Sequence, residues 1–221
     1  MQAGGQIMQK KIMCYGDSNT YGYVPAGEGA RYEKNKRWCG ILAELLGDEY
    51  LLIEAGHNGR TTDQDVPFDP ERNGLACVSA QLKENQPLDL VIVMLGTNDT
   101  KEEFGRDEKR IGQGLKALVE KIQKELESMQ GHQPQILIIS PANVREDAEY
   151  GPFGHEFSAR SYKVSQKLAE EFRTIAEETG SMFFNAAEFI ETSPLDGIHL
   201  SEESHHVLAH NLFAFLKEQN I

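Results

Sequence analysis

Five short apolar runs set the limits on what this chain can become: Lys11–Tyr15, Tyr50–Ala55, Leu88–Leu95, Gln135–Ile139 and Met182–Asn185. Near-continuous apolar runs of this length are the mark of strands buried on both faces, which occur in parallel sheets. Between them lie stretches with apolar residues at helical spacing. These are Trp38, Ile41, Leu42 and Leu45, then Ile111 through Leu115, Leu118, Ile122 and Leu126 to Met129, then Leu168, Phe172 and Ile175, and finally Leu208, Leu212, Phe215 and Leu216. Strands alternating with helices imply right-handed βαβ units. The expected fold class is α/β: a three-layer α/β/α sandwich around a five-stranded, mostly parallel sheet.

The 221 residues suit one such domain, read as spanning 1–221, with 1–10 a flexible N-terminal extension. A formal charge of -13 repels phosphate backbones and anionic lipid surfaces, so neither nucleic acid nor membrane is an expected partner. Cys14, Cys39 and Cys77 are odd in number and lack paired zinc-site spacing, so they read as reduced thiols. No apolar run approaches the ~20 residues of a membrane span or forms a leader segment, and cytoplasmic residence is the expectation.

In such sheets ligands gather outside the carboxyl ends of the strands. Gly16-Asp17-Ser18-Asn19-Thr20 follows the first run, and Ser18 there either caps a helix or offers its hydroxyl as a nucleophile. After the second run, Gly59 either satisfies a turn or lets a backbone N–H approach a ligand. After the third, Asn98 in Gly96-Thr97-Asn98-Asp99 either closes an Asx-turn or supplies a hydrogen-bond donor. Near the end, Asp196-Gly197-Ile198-His199 precedes a helix cap at Ser201, and three-residue spacing lets the carboxylate fold onto the imidazole. Each feature alone is ambiguous; together they supply every part of one acyl-transfer site. Ser18 would be the nucleophile, His199 the general base and acid, and Asp196 its orienting partner, with Ser18 and Gly59 N–H and the Asn98 side chain forming an oxyanion hole.

This set resembles the four motif blocks of the SGNH, or GDSL-type, hydrolases. The likeness extends to CYGDSNTYGYVP at 14–25, GRTT at 59–62, LDLVIVMLGTNDTK at 88–101 and DGIHLS at 196–201, and is nearest in appearance to bacterial aryl esterases and acyltransferases. It implies a flavodoxin-like sheet topology, hydrolysis of small carboxylic esters or acyl transfer to alcohols, no metal or organic cofactor, and a homo-oligomer. By the same resemblance Asp17, Tyr23 and Ile198 line the substrate pocket. Asn19 stands where the family's block has Leu, Tyr21 and Tyr23 stand where aryl esterases carry tryptophans, and the segment 142–158 diverges.

Carbohydrate acetyl esterase, thioesterase and lysophospholipase activities are alternatives within the same superfamily. Outside it stand a metallohydrolase built on His199, His205 and His206, and a non-catalytic module holding a nucleotide at the strand ends. Against these, adjacent histidines point to different faces of one helix, and no phosphate-binding glycine fingerprint follows a strand.

Overall fold

A computed structural model describes residues 9–221. Residues 1–8 of the expected N-terminal extension lie outside the described residues, and Lys10 already belongs to the first strand. Strands β1 (Lys10–Gly16), β2 (Tyr50–Gly56), β3 (Leu90–Met94), β4 (Gln135–Ser140) and β5 (Met182–Asn185) form one sheet in the order β2-β1-β3-β4-β5. Every pairing in it is parallel.

Alternating strand residues divide the core into two layers, as the two-residue period of a strand requires. Ile12, Cys14, Ile92, Leu137 and Ile139 pack with residues of α2 (Trp38–Leu46) and α6 (Glu202–Glu218), including Trp38, Leu42, Leu208 and Leu212. Met13, Tyr15, Val91, Val93 and Ile138 pack on the other side with α3 (Gly74–Asn85), α4 (Glu108–Gln130) and α5 (Ala159–Thr179). The three-layer sandwich read from the sequence is therefore the observed fold. Central β3 is buried at every position, whereas edge strands β2 and β5 are only partly covered.

Three features depart from the sequence reading. The third strand is shorter than its apolar run, because Leu88 turns aside and its N–H donates to Gln130 Oε1 at 3.0 Å. Helix α3 was not among the expected helices. Only Gly74, Val78 and Leu82 of it are buried, too few for a clear apolar stripe, and Asn73 caps it by accepting the Ala76 N–H. A one-turn helix, α1 (Ser18–Tyr21), follows β1 directly.

Strand order reverses at β1: the chain runs from β1 out to β2 at the edge, then crosses back to β3 on the other side of β1. The loops after β1, β2 and β3 therefore meet at one edge of the sheet, where a crevice forms in folds of this kind.

Candidate active site

β1 ends at Gly16, where a Cβ would lie 2.1 Å from Thr20 Oγ1 and 2.8 Å from the Met94 carbonyl oxygen, so only glycine lets the turn close against β3. Asp17, not Ser18, caps α1: its Oδ1 accepts the Asn19 N–H at 2.9 Å. That leaves the Ser18 hydroxyl free of capping duty. Ser18 Oγ lies 3.0 Å from His199 Nε2, and His199 Nδ1 lies 2.8 Å from Asp196 Oδ2.

Asp196 Oδ1 also accepts the Ile198 and His199 N–H groups at 3.0 Å each, and Oδ2 accepts the Ala26 N–H at 3.1 Å. Burial pushes this carboxyl upward, but the bonds to His199 and to the backbone outweigh it and hold Asp196 below the usual carboxylate range. An ionised Asp196 fixes the proton of a neutral His199 on Nδ1, which leaves Nε2 as an acceptor toward the Ser18 hydroxyl. The imidazole is held between rings, stacked on Tyr23 at a centroid distance of 4.3 Å and edge-on to Phe153 at 5.4 Å.

Two further turns reach the same point. Gly59 has φ +79°, a conformation that side chains resist. Among the described residues neither the Ser18 nor the Gly59 N–H donates to another group of the chain. Asn98 opens the turn after β3, and its Nδ2 donates to the Arg60 carbonyl oxygen at 3.1 Å while standing 3.4 Å from Asp17 Oδ2. Arg60 lies beneath, its Nη1 donating to the Gly16 and Ala55 carbonyl oxygens at 2.9 and 2.6 Å and its guanidinium over the Tyr15 ring.

A buried ionic network that the sequence did not disclose ties the second turn to the third. Asp99 accepts the Thr62 N–H and, at 2.6 Å, the Thr62 hydroxyl, and Arg106 Nη1 joins it to Asp63 at 3.2 and 2.6 Å. Burial pushes both Asp99 and Asp17 up to about 6, against the pull of their hydrogen bonds.

Ser18, Gly59, Asn98 and His199 open onto a cavity of about 270 Å³. Tyr23 and Ile198 line it. Asp17 does not: it is 1% exposed and lies behind the cavity, committed to the α1 cap and to Asn98. Missed in the sequence were Phe153, Glu156 and Phe157, all from the divergent 142–158 segment, together with Asn58, Arg72 and Lys101. Lys101 Nζ lies 2.6 Å from Glu156 Oε2, pinning that segment beside the cavity.

Neither His205 nor His206 lines the cavity. His205 is buried in α6, where its Nδ1 accepts the Trp38 N–H at 3.3 Å, and His206 stacks on His210. Among the described residues no group of three or more His, Cys, Asp or Glu is arranged to hold a metal ion.

A Ser–His–Asp hydrogen-bond chain, a positive-φ glycine and an asparagine thus meet at strand ends of one parallel sheet, and the comparisons place the chain among the carboxylic ester hydrolases. The chain belongs to the GDSL-like lipase/acylhydrolase family, whose model matches residues 14–207. It is similar to the carbohydrate acetylesterase Est24 from Sinorhizobium meliloti, at 34% identity, with a TM-score of 0.88 and coverage of 96% of this chain and 100% of that one. It is also similar to the aryl esterase of M. smegmatis, at 34% identity, TM-score 0.86, covering 95% and 99% of the two chains. A lipolytic G-D-S-L family protein from Veillonella parvula, at 16% identity and TM-score 0.63 over 93% and 97% of the two chains, shares the fold. Comparison with curated proteins gives no match.

Proposed function

We propose that this esterase acts through an acyl-enzyme on Ser18. The observation that carries the reading is the unbroken hydrogen-bond chain from Asp196 through His199 to Ser18 at the floor of the cavity. Ser18 Oγ attacks the ester carbonyl carbon while His199 Nε2 takes its proton, and the imidazolium so formed is stabilised by Asp196. The Ser18 and Gly59 N–H groups bind the oxyanion, and Asn98 Nδ2 joins them by exchanging its long 3.4 Å contact with Asp17. Collapse breaks the ester C–O bond, His199 returns the proton to the leaving alkoxide, and water or an alcohol repeats the sequence to release the acyl group.

The substrate class is a small neutral ester, of short acyl chain and aryl or alkyl alcohol. A cavity of about 270 Å³ walled by Tyr23, Phe153 and Phe157 supports it, as do relatives described as aryl esterase and carbohydrate acetylesterase. Cytoplasmic residence is supported by the three free cysteines, and no helix among the described residues is long and apolar enough to cross a membrane. A homo-oligomer is supported by Phe68, Tyr150 and Leu195, large apolar side chains exposed on the loops after β2, β4 and β5, and light scattering tests it.

Hydrolysis of p-nitrophenyl acetate by wild type and Ser18→Ala, with mass spectrometry after a fluorophosphonate probe, tests the site. Activity lost in the variant and a single adduct on Ser18 are expected; an active variant, or an adduct elsewhere, overturns the reading.

A further inference from the structure

Asn19, in place of the Leu that gives the family its name, is bonded to the residues on either side of His199. It is 4% exposed. Its Oδ1 accepts the Leu200 N–H at 2.9 Å, and its Nδ2 donates to the Ile198 carbonyl oxygen at 3.2 Å. One carboxamide thus pairs with the backbone as an adjoining strand would, spanning the histidine. The acceptor faces an N–H and the donor faces a carbonyl, so the two partners fix the orientation of the amide.

Asn19 is itself anchored. Its carbonyl oxygen accepts the indole N–H of fully buried Trp38 at 3.1 Å, and it sits within α1, one residue after Ser18. The histidine loop is also fastened to itself, the His199 N–H donating to Asp196 Oδ1 and the His199 carbonyl oxygen accepting the Ser193 N–H at 2.7 Å, and to other loops, the Arg145 N–H donating to the Gly197 carbonyl oxygen at 2.9 Å and the Ala26 N–H to Asp196 Oδ2 at 3.1 Å. Apart from the Ser18–His199 bond, the two bonds of Asn19 are the direct hydrogen bonds between residues 17–22 and 192–200 among the described residues. A leucine fills similar space but can make neither.

We propose that Asn19 is a positioning residue that holds His199 Nε2 at proton-transfer distance from Ser18 Oγ. The proposal rests on the reading of Ser18 and His199 given above. Displacement of a reacting group by about 1 Å costs on the order of 10²-fold in rate, so loosening this tie acts on kcat, while Phe153 and Phe157, the cavity walls carried by the 142–158 segment, stay in place.

The test is a double-mutant cycle on p-nitrophenyl acetate hydrolysis, with Asn19→Leu, His199→Ala and the double variant, each checked for folded fraction by circular dichroism. Asn19→Leu is expected to lower kcat about 10- to 100-fold with little change in KM, and to cause no further loss once His199 is gone. Asn19→Asp, which retains the acceptor but not the donor, is expected to fall between Leu and wild type. Equal losses in both backgrounds, a change confined to KM, or near-wild-type kcat overturns the proposal, and so does a failure of every Asn19 variant to fold, which would make the role purely structural. Full activity in His199→Ala would instead overturn the underlying reading of the site.

Discussion

Replacing Asp196 by Asn removes one charge and changes almost no volume, and the structure dictates what happens next. The new carboxamide has two orientations. With its NH₂ at the Oδ1 position it faces two backbone donors, the N–H groups of Ile198 and His199; with its NH₂ at the Oδ2 position it faces one, that of Ala26. An unsatisfied buried N–H costs about 1–3 kcal/mol, so the second orientation wins by that margin. The NH₂ then points at His199 Nδ1, which has to accept, and the imidazole proton moves to Nε2. There it faces Ser18 Oγ at 3.0 Å and cannot take a proton from it. In a Ser-His-Asp enzyme the equivalent tautomer switch costs about 10⁴-fold in kcat, or roughly 5.4 kcal/mol of barrier. The assay is kcat for p-nitrophenyl acetate across pH, with a thermal melt showing that the variant is folded. Asp196→Asn within tenfold of wild-type kcat would refute the argument.

Two further perturbations follow from the packing and the buried titratable groups. Gly56→Ala places a Cβ 2.2 Å from the Tyr21 backbone nitrogen, which has no rotamer to escape by, so stability should fall by about 3 kcal/mol as β2 and α1 are forced apart; an unchanged urea midpoint would contradict this. Burial lowers His205 to about 3, so below the unfolded value of 6.5 the unfolded chain binds a proton that the folded chain refuses, and stability is lost as pH falls. Asp17 and Asp99, raised to about 6, act in the opposite sense between pH 6 and 3.8, so the comparison is made between wild type and His205→Asn. From pH 7 to 5 wild type should lose about 2 kcal/mol relative to the variant, and parallel urea-denaturation curves would refute it.

The site was legible because its residues follow strands, and buried parallel strands are the least ambiguous elements in this chain. Ser18, Gly59 and Asn98 each lie within four residues of a strand's end, so locating β1, β2 and β3 located them. Harder to read was which residue caps the first turn. Asp17 and Ser18 are both good caps, and only the short α1 helix assigns the task to Asp17 and so removes it from the cavity. The walls were not legible at all. Phe153 and Phe157 lie in a segment without periodicity, and the Lys101–Glu156 and Asp99–Arg106 pairs are set by packing rather than by spacing along an element. Helix α3 was missed because three buried residues are too faint a pattern.

The floor and the walls of the cavity are fastened by different means. Ser18, Gly59 and Asn98 hang from strand ends through Arg60, Asp99 and Thr62, whereas Phe153 and Phe157 rest on a small apolar cluster with Val144, Ala148 and Ile198. Apart from Phe153, whose ring holds the His199 imidazole edge-on, substitutions in the 142–158 segment can therefore reshape what enters while leaving the Asp196–His199–Ser18 hydrogen-bond chain in place. Selection, natural or in the laboratory, has in that segment a place to explore new esters while the proton relay stays intact.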